Sequence, residues 1–386
     1  MSPDNARLGL YVHWPYCARI CPYCDFNVYK AAHAQPEALL AAMLDDLAHW
    51  RDRLGPRTIH SVHFGGGTPS LMEPRAIAAI LERADALFRL APGCEIGLEA
   101  NPMELERFAG IASAGVERLS LGVQALDDAS LKRLGRDHDA RTGLQALERA
   151  QNLFKRVSLD LIYAREHQSP DDWRTELETA LGFGTGHMSL YQLTIEPGTA
   201  FERKLKRGAL TPPSDDAAAD MYALTQSVCA AAGLPSYEIS NHARTRADQS
   251  VHNRLYWEGE DWIGIGPGAH SRTGGFDTGG REGAAAQRRP DAYMKEVAAG
   301  DAHERERLDA GAELTERLLM GIRLTEDGLD LDRLFARTGL APDPDGLERM
   351  TAQSLITKIG SQLILTESGR AFADHVAEAL IPDFDV

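Results

Sequence analysis

The sequence predicts an α/β fold: a parallel sheet with crossover helices, followed by a smaller helical module at the C-terminus. Three observations predict it. Over the first two-thirds of the chain, short apolar runs alternate with amphipathic stretches, the pattern of strand–helix–strand units joined by right-handed crossovers. The chemically distinctive residues fall at or just past the ends of the apolar runs, where α/β folds place their ligands. From about residue 309 the alternation stops, and helical stretches are closed by a short hairpin.

The elements follow in order. Residues 8–14 read as a strand leading into a cysteine-rich loop. Residues 36–53 read as a helix, with Leu39, Leu40, Met43, Leu47 and Trp50 along one face. Residues 58–64 alternate as a strand and run into Gly65-Gly66-Gly67; 75–88 is the next helix. Strands at 95–99, 118–123, 156–162 and 188–193 alternate with helices at 104–113, 141–154 and 171–181. Helix 215–231 stands in a less regular region, and 274–289, rich in Gly, Ala and Arg, reads as a flexible loop. Three further helices, at 313–321, 329–338 and 347–353, precede a hairpin over 355–365 and a last helix at 367–379. Helices closed by a small hairpin suggest a winged-helix-like module. Its acidic composition favours a structural role over a DNA reader. The expected division is a core over 1–245, a connecting segment over 246–300 and the C-terminal module over 301–386.

Composition narrows the function classes. A formal net charge of −16 over 386 residues argues against a general nucleic-acid surface or a polybasic membrane patch. No apolar run reaches the length of a membrane span. With no secretory h-region after Met1, the expected compartment is the reducing cytoplasm.

The cysteines carry the strongest chemical signal. Cys17, Cys21 and Cys24 lie in the run Tyr16-Cys-Ala-Arg-Ile-Cys-Pro-Tyr-Cys-Asp-Phe26, with three residues between the first pair and two between the second. Three thiolates from one loop hold three irons of a [4Fe-4S] cube and leave the fourth open for chemistry. A zinc site is the competing reading, but Phe26 stands where a fourth ligand is expected, and His13 is the remaining candidate. Cys94 and Cys229 are scattered and read as small buried residues.

Downstream, Gly65-Gly66-Gly67-Thr68-Pro69-Ser70 lets the backbone approach a ligand closely; phosphate binding is an alternative, though no Walker-type lysine follows. Glu99 ends a strand, where a carboxylate either caps the next helix or bonds ligand hydroxyls. Gln124, Arg136 and Asp160 stand at or beyond other strand ends; each has an ordinary polar role as its alternative, which Asp160, like Glu99, outweighs singly and Gln124 and Arg136 outweigh only as part of the set.

At these residues the chain resembles the radical S-adenosylmethionine (SAM) superfamily. The resemblance implies a curved, partial (β/α)6 barrel; pattern alone leaves a flat doubly wound sheet as the alternative. It also implies a [4Fe-4S] cluster on Cys17, Cys21 and Cys24 whose open iron takes the methionine end of SAM. Reduction then cleaves SAM to methionine and a 5′-deoxyadenosyl radical. It assigns Tyr11, Tyr23, Gly66, Gly67, Thr68, Glu99, Gln124, Arg136 and Asp160 to SAM, with Tyr23 packing on adenine and Arg136 suited to a bidentate carboxylate contact. One departure is plain: where relatives read Gly-Leu-Pro-Gly, this chain reads Ala164-Arg-Glu-His167, so a different loop shape is expected there.

Within the superfamily the motifs together resemble the oxygen-independent coproporphyrinogen III oxidase family, and in it the HemW-type haem-chaperone branch. Oxidases carry a fourth cysteine where Phe26 stands, and a longer segment ahead of the cluster. His252-Asn-Arg-Leu-Tyr-Trp257 matches the His-Asn-x-x-Tyr-Trp signature of the chaperone branch. The resemblance implies haem as a ligand and haem-acceptor proteins as partners, membrane respiratory enzymes among them. His252 is the first candidate for haem iron, since neutral imidazole is a common axial ligand, and His270 is a second candidate, for contact with haem or SAM. A structural role for His252 and an oxidase activity remain the alternatives.

Overall fold

The computed structural model describes residues 7–275 and 280–384. Six strands run parallel in chain order: β1 (Leu8–Trp14), β2 (Ile59–Gly66), β3 (Leu90–Ala100), β4 (Arg118–Gln124), β5 (Arg156–Tyr163) and β6 (His187–Gln192). Their middles are buried on both faces, which is why they read as nearly continuous apolar runs. Helix Pro36–Leu54 returns the chain between β1 and β2; proline opens it, and Leu39, Met43, Leu47 and Trp50 bury its inner face. Helix Pro170–Leu181 starts on a capping box in which Ser169 and Asp172 satisfy each other's backbone amides.

The sheet extends beyond these six strands. Among the described residues it has eleven, in the order β11-β10-β9-β8-β1-β2-β3-β4-β5-β6-β7, where β7 is Asn241–Ala243, β8 Asp261–Ile265, β9 His270–Gly275, β10 Gly280–Ala286 and β11 His303–Arg307. Strand β8 is parallel to β1 and so adds a seventh parallel strand ahead of the first. The segment 246–300 thus contributes strands to the core sheet. The expected flexible loop at 274–289 is corrected over its described part: Gly280–Ala286 pairs with His270–Gly275 in an antiparallel ladder. Its small residues sit in the sheet because Ala284 and Ala286 pack in the core. Residues 276–279 lie outside the described residues.

Residues from five successive strands, Gly66, Glu99, Ser120, Asp160 and Tyr191, line one cavity. The sheet therefore curls around it as a partial barrel, which removes the flat-sheet alternative. The C-terminal module has its own core around Leu314, Leu318, Met350, Ile356 and Val376. Strands Leu329–Asp330, Gln362–Leu365 and Ile356–Ile359 form its small sheet, with helices Ala310–Gly321, Leu331–Thr338 and Pro344–Ala352 around it, a winged-helix-like arrangement. Arg254 on helix Val251–Trp257 ties it to the barrel through Asp327 at 2.5 Å.

Candidate active site: two adjoining cavities

The cysteine loop is closed at its base by the parallel pair Tyr16–Cys17 and Tyr29–Lys30. Inside it the Cys24 amide donates to the Cys21 carbonyl at 3.2 Å. Cys17 is buried, Cys21 and Cys24 half-buried, and all three are free thiols lining a cavity of about 240 Å³. Burial pushes the Cys24 thiol up to about 11 and raises Cys17, with the Thr68 hydroxyl pulling Cys17 partly back. Arg136 stands beside the loop, its Nη1 donating to Cys21 Sγ at 3.4 Å. Cys94 and Cys229 lie apart from this loop.

Cys17, Cys21 and Cys24 line one cavity, an arrangement that fits a cube in which three irons each take one thiolate.

The glycine run meets this loop by backbone contact. The Gly67 amide donates to the Trp14 carbonyl at 2.7 Å and the Thr68 amide to the Tyr16 carbonyl at 2.9 Å. A Cβ on Gly67 would lie 2.9 Å from both carbonyl oxygens, so no larger residue fits. Gly66 has φ +104°, and a Cβ there would lie 2.5 Å from the His13 ring. The glycines are thus required first by packing; their amides are already used, and the Gly66 amide goes to Glu99 Oε2 at 3.2 Å.

The polar residues line the opposite wall. Glu99 Oε1 also meets His63 Nε2 at 3.1 Å. Asp160 accepts from Ser120 at 2.6 Å and Ser158 at 2.7 Å; burial raises its pKa while the serines pull it back. Gln124 has φ 71°, at a bulge between β4 and β5, and its buried Oε1 has no partner. The buried Arg136 Nε is also unpartnered. Its Nη1 donates to Cys21 Sγ and its Nη2 to the Gly122 carbonyl at 3.0 Å, which leaves Nε–H and a second N–H on each Nη. A buried acceptor and a buried donor without partners fit a zwitterionic, hydroxyl-bearing ligand such as SAM. Tyr23 lines the same cavity, its ring packed on Phe201 at 6.1 Å between centroids. The wall residues Ser120 and Tyr191 were not singled out from the sequence; period-two alternation with Glu99 and Asp160 on neighbouring strands is the signal that marks them.

In the loop after β5, Ala164 (φ 55°) and His167 (φ 64°) are left-handed at the two positions where relatives carry glycine. Arg165 holds it, donating to the Ile162 carbonyl at 2.8 Å and to Glu176 at 2.5 Å.

A second, larger cavity of about 960 Å³ adjoins the first, and Phe26, Gly66 and Glu99 line both. Tyr11 lines this larger cavity, and its hydroxyl meets His13 Nδ1 at 3.1 Å. Tyr256, Trp257, Trp262 and His270 form an aromatic wall, and Arg288 and Arg289 stand at the same cavity. His252 faces neither cavity. It is 1 % exposed, with Nδ1 at 2.8 Å from Ser61 Oγ and Nε2 at 2.7 Å from the Tyr256 hydroxyl. Both ring nitrogens are engaged, and burial holds the ring neutral. The geometry is that of a prop for Tyr256, and it corrects the expectation of an iron-facing imidazole.

Comparison with known proteins bears on the whole chain. Residues 11–180 match the model of the radical SAM superfamily. The chain is 36 % identical to the heme chaperone HemW of Mycobacterium tuberculosis, over 97 % of this chain and 94 % of that protein. It is 34 % identical to the heme chaperone HemW of Escherichia coli, over 97 % and 98 %. It is also 41 % identical to the mitochondrial radical S-adenosyl methionine domain-containing protein 1 of Bos taurus, over 83 % and 74 %. Coproporphyrinogen III oxidase (HemN) of Escherichia coli, a radical SAM enzyme, shares the fold at a TM-score of 0.82 and 22 % identity, over 98 % of this chain and 91 % of that one.

Proposed function

We propose, for a chain that belongs to the HemW family of the radical SAM superfamily, the function of a haem chaperone. In this reading the smaller cavity holds a [4Fe-4S] cluster on Cys17, Cys21 and Cys24 together with SAM, and the larger cavity holds haem for transfer to acceptor proteins. Cys17, Cys21 and Cys24 would hold the cluster, which when bound and reduced would supply an electron for SAM cleavage. The chain's own residues position and shield. Arg136 neutralises the Cys21 thiolate; Gly66 and Gly67 hold the cysteine loop against β2; Glu99, Asp160, Gln124 and the Thr68 hydroxyl offer polar contacts to SAM; and Tyr23 offers a ring face. No helix among the described residues is long and apolar enough to cross a bilayer.

The observation that carries the reading is the larger cavity. It is of cofactor size, aromatic on one wall, basic at its margin, and contiguous with the cluster cavity across Phe26. Phe26 also supports it against the oxidase alternative, because an apolar ring fills the position of the oxidases' fourth cysteine. The test is hemin titration of the anaerobically reconstituted protein, followed by incubation with an apo-haemoprotein. Near-stoichiometric binding and transfer are expected. Multiple turnovers of coproporphyrinogen III to protoporphyrinogen in the presence of SAM and reductant would overturn the reading in favour of an oxidase.

A further inference from the structure

We propose that His270 ligates haem iron in the larger cavity, with Arg288 and Arg289 receiving the propionates. The inference rests on the haem-chaperone reading and assigns its binding residues. Two histidines line this cavity, His13 and His270. Both ring nitrogens of His13 are engaged, Nδ1 by the Tyr11 hydroxyl at 3.1 Å and Nε2 by the Asn27 carbonyl at 3.0 Å. The His270 ring is exposed and makes no hydrogen bond or ion pair among the described residues. Its backbone is fixed: it opens β9 opposite Ala285, and its carbonyl accepts from Trp262 Nε1 at 3.1 Å. A fixed backbone carrying a free imidazole is what an axial ligand requires.

The surrounding chemistry matches the rest of the macrocycle. Tyr256 and Trp262 meet edge to face with centroids 4.7 Å apart, and Ala285, Ala286 and Ala292 leave room for a flat apolar ring. The Arg288 guanidinium makes no ion pair among the described residues, while its carbonyl is held by Asn27 at 2.7 Å and Tyr29 at 3.0 Å. Among the described residues Arg289 is paired only with exposed Asp291, a contact of little net energy that a propionate can replace. A flat apolar body, a central Lewis acid and two carboxylates at one edge are thus each met by a distinct group.

The experiment is hemin titration of the full chain, read by the Soret band and by electron paramagnetic resonance, for wild type, His270→Ala and Arg288→Ala/Arg289→Ala. Each variant's fold is checked by circular dichroism. In His270→Ala the ligand-field signature should disappear and return on adding free imidazole. In the double arginine variant hemin affinity should fall about 10- to 100-fold, the loss of a charge-assisted contact, while affinity for the hemin dimethyl ester stays unchanged. If wild type binds no hemin, the haem-chaperone reading itself fails. If wild type binds and His270→Ala keeps the same spectrum, the assignment of His270 is overturned and the chaperone reading stands.

Discussion

Replacing Gly67 with alanine tests whether the glycine run acts by clamping the cysteine loop. The added Cβ would stand 2.9 Å from the Trp14 and Tyr16 carbonyl oxygens and 3.0 Å from the Pro15 carbonyl carbon, all backbone atoms with no side-chain freedom to yield. The two strands must part, and the hydrogen bonds from Gly67 and Thr68 at 2.7 and 2.9 Å lengthen with them. Overpacking of this kind costs about 1–3 kcal/mol, and two weakened backbone bonds add about 1–2 kcal/mol. The expected loss is therefore roughly 2–5 kcal/mol. Gly93→Ala is the control: φ is +76° there, but a Cβ meets nothing within 4 Å, so only about 1–2 kcal/mol of backbone strain is expected. Urea unfolding gives the stabilities, and iron content after anaerobic reconstitution gives the state of the cysteine loop. Gly67→Ala should lose more stability than the control and retain less iron. Wild-type iron content with a stability loss no larger than that of Gly93→Ala would refute the clamp.

Four further outcomes are expected. His252→Ala should lower stability by about 2–4 kcal/mol in thermal or urea melts, because it leaves the Ser61 and Tyr256 hydroxyls unpaired in a buried site; a neutral effect would remove the prop role. Asp160→Asn replaces one acceptor of the Ser120 and Ser158 hydroxyls with a donor and removes a charge, and SAM affinity by calorimetry should fall about 10- to 100-fold. His167→Gly should stabilise by about 1 kcal/mol, since a left-handed, exposed histidine is relieved of strain; a destabilised variant would show that the side chain matters more than φ. Burial pushes His242 down to about 3, so its contribution is fully present above pH 6.5 and is lost as pH falls from there toward 3, at about 1.4 kcal/mol per unit. His242→Leu, at a site where neither ring nitrogen has a partner, should flatten the decline of the urea midpoint between pH 7 and 5, and an unchanged slope would contradict the assignment.

The sequence by itself marked out the architecture and most of the residues that line the smaller cavity. Six strands with amphipathic crossovers were legible because hydrophobic periodicity is local, and helix 215–231 appears with the same bounds. The cysteine spacing, the glycine run, and Glu99, Gln124, Arg136 and Asp160 were legible because parallel strands deliver their ends to one rim, whatever their separation in sequence.

Tertiary structure alone decided three things. Strand β8 pairs with β1 across some 250 residues of chain, a register that no local pattern encodes, so Gly- and Ala-rich residues near 280 read as a loop until β9 provides their partner. Ala164 and His167 keep a backbone suited to glycine because Arg165 and Glu176 hold it from the side. Above all, the fates of the two histidines were not legible. His252 sits in a motif and His270 in a glycine-rich turn, but which imidazole keeps a free lone pair depends on neighbours from distant segments. Ser61 and Tyr256 consume both nitrogens of His252, while the ring of His270 is left facing a cavity.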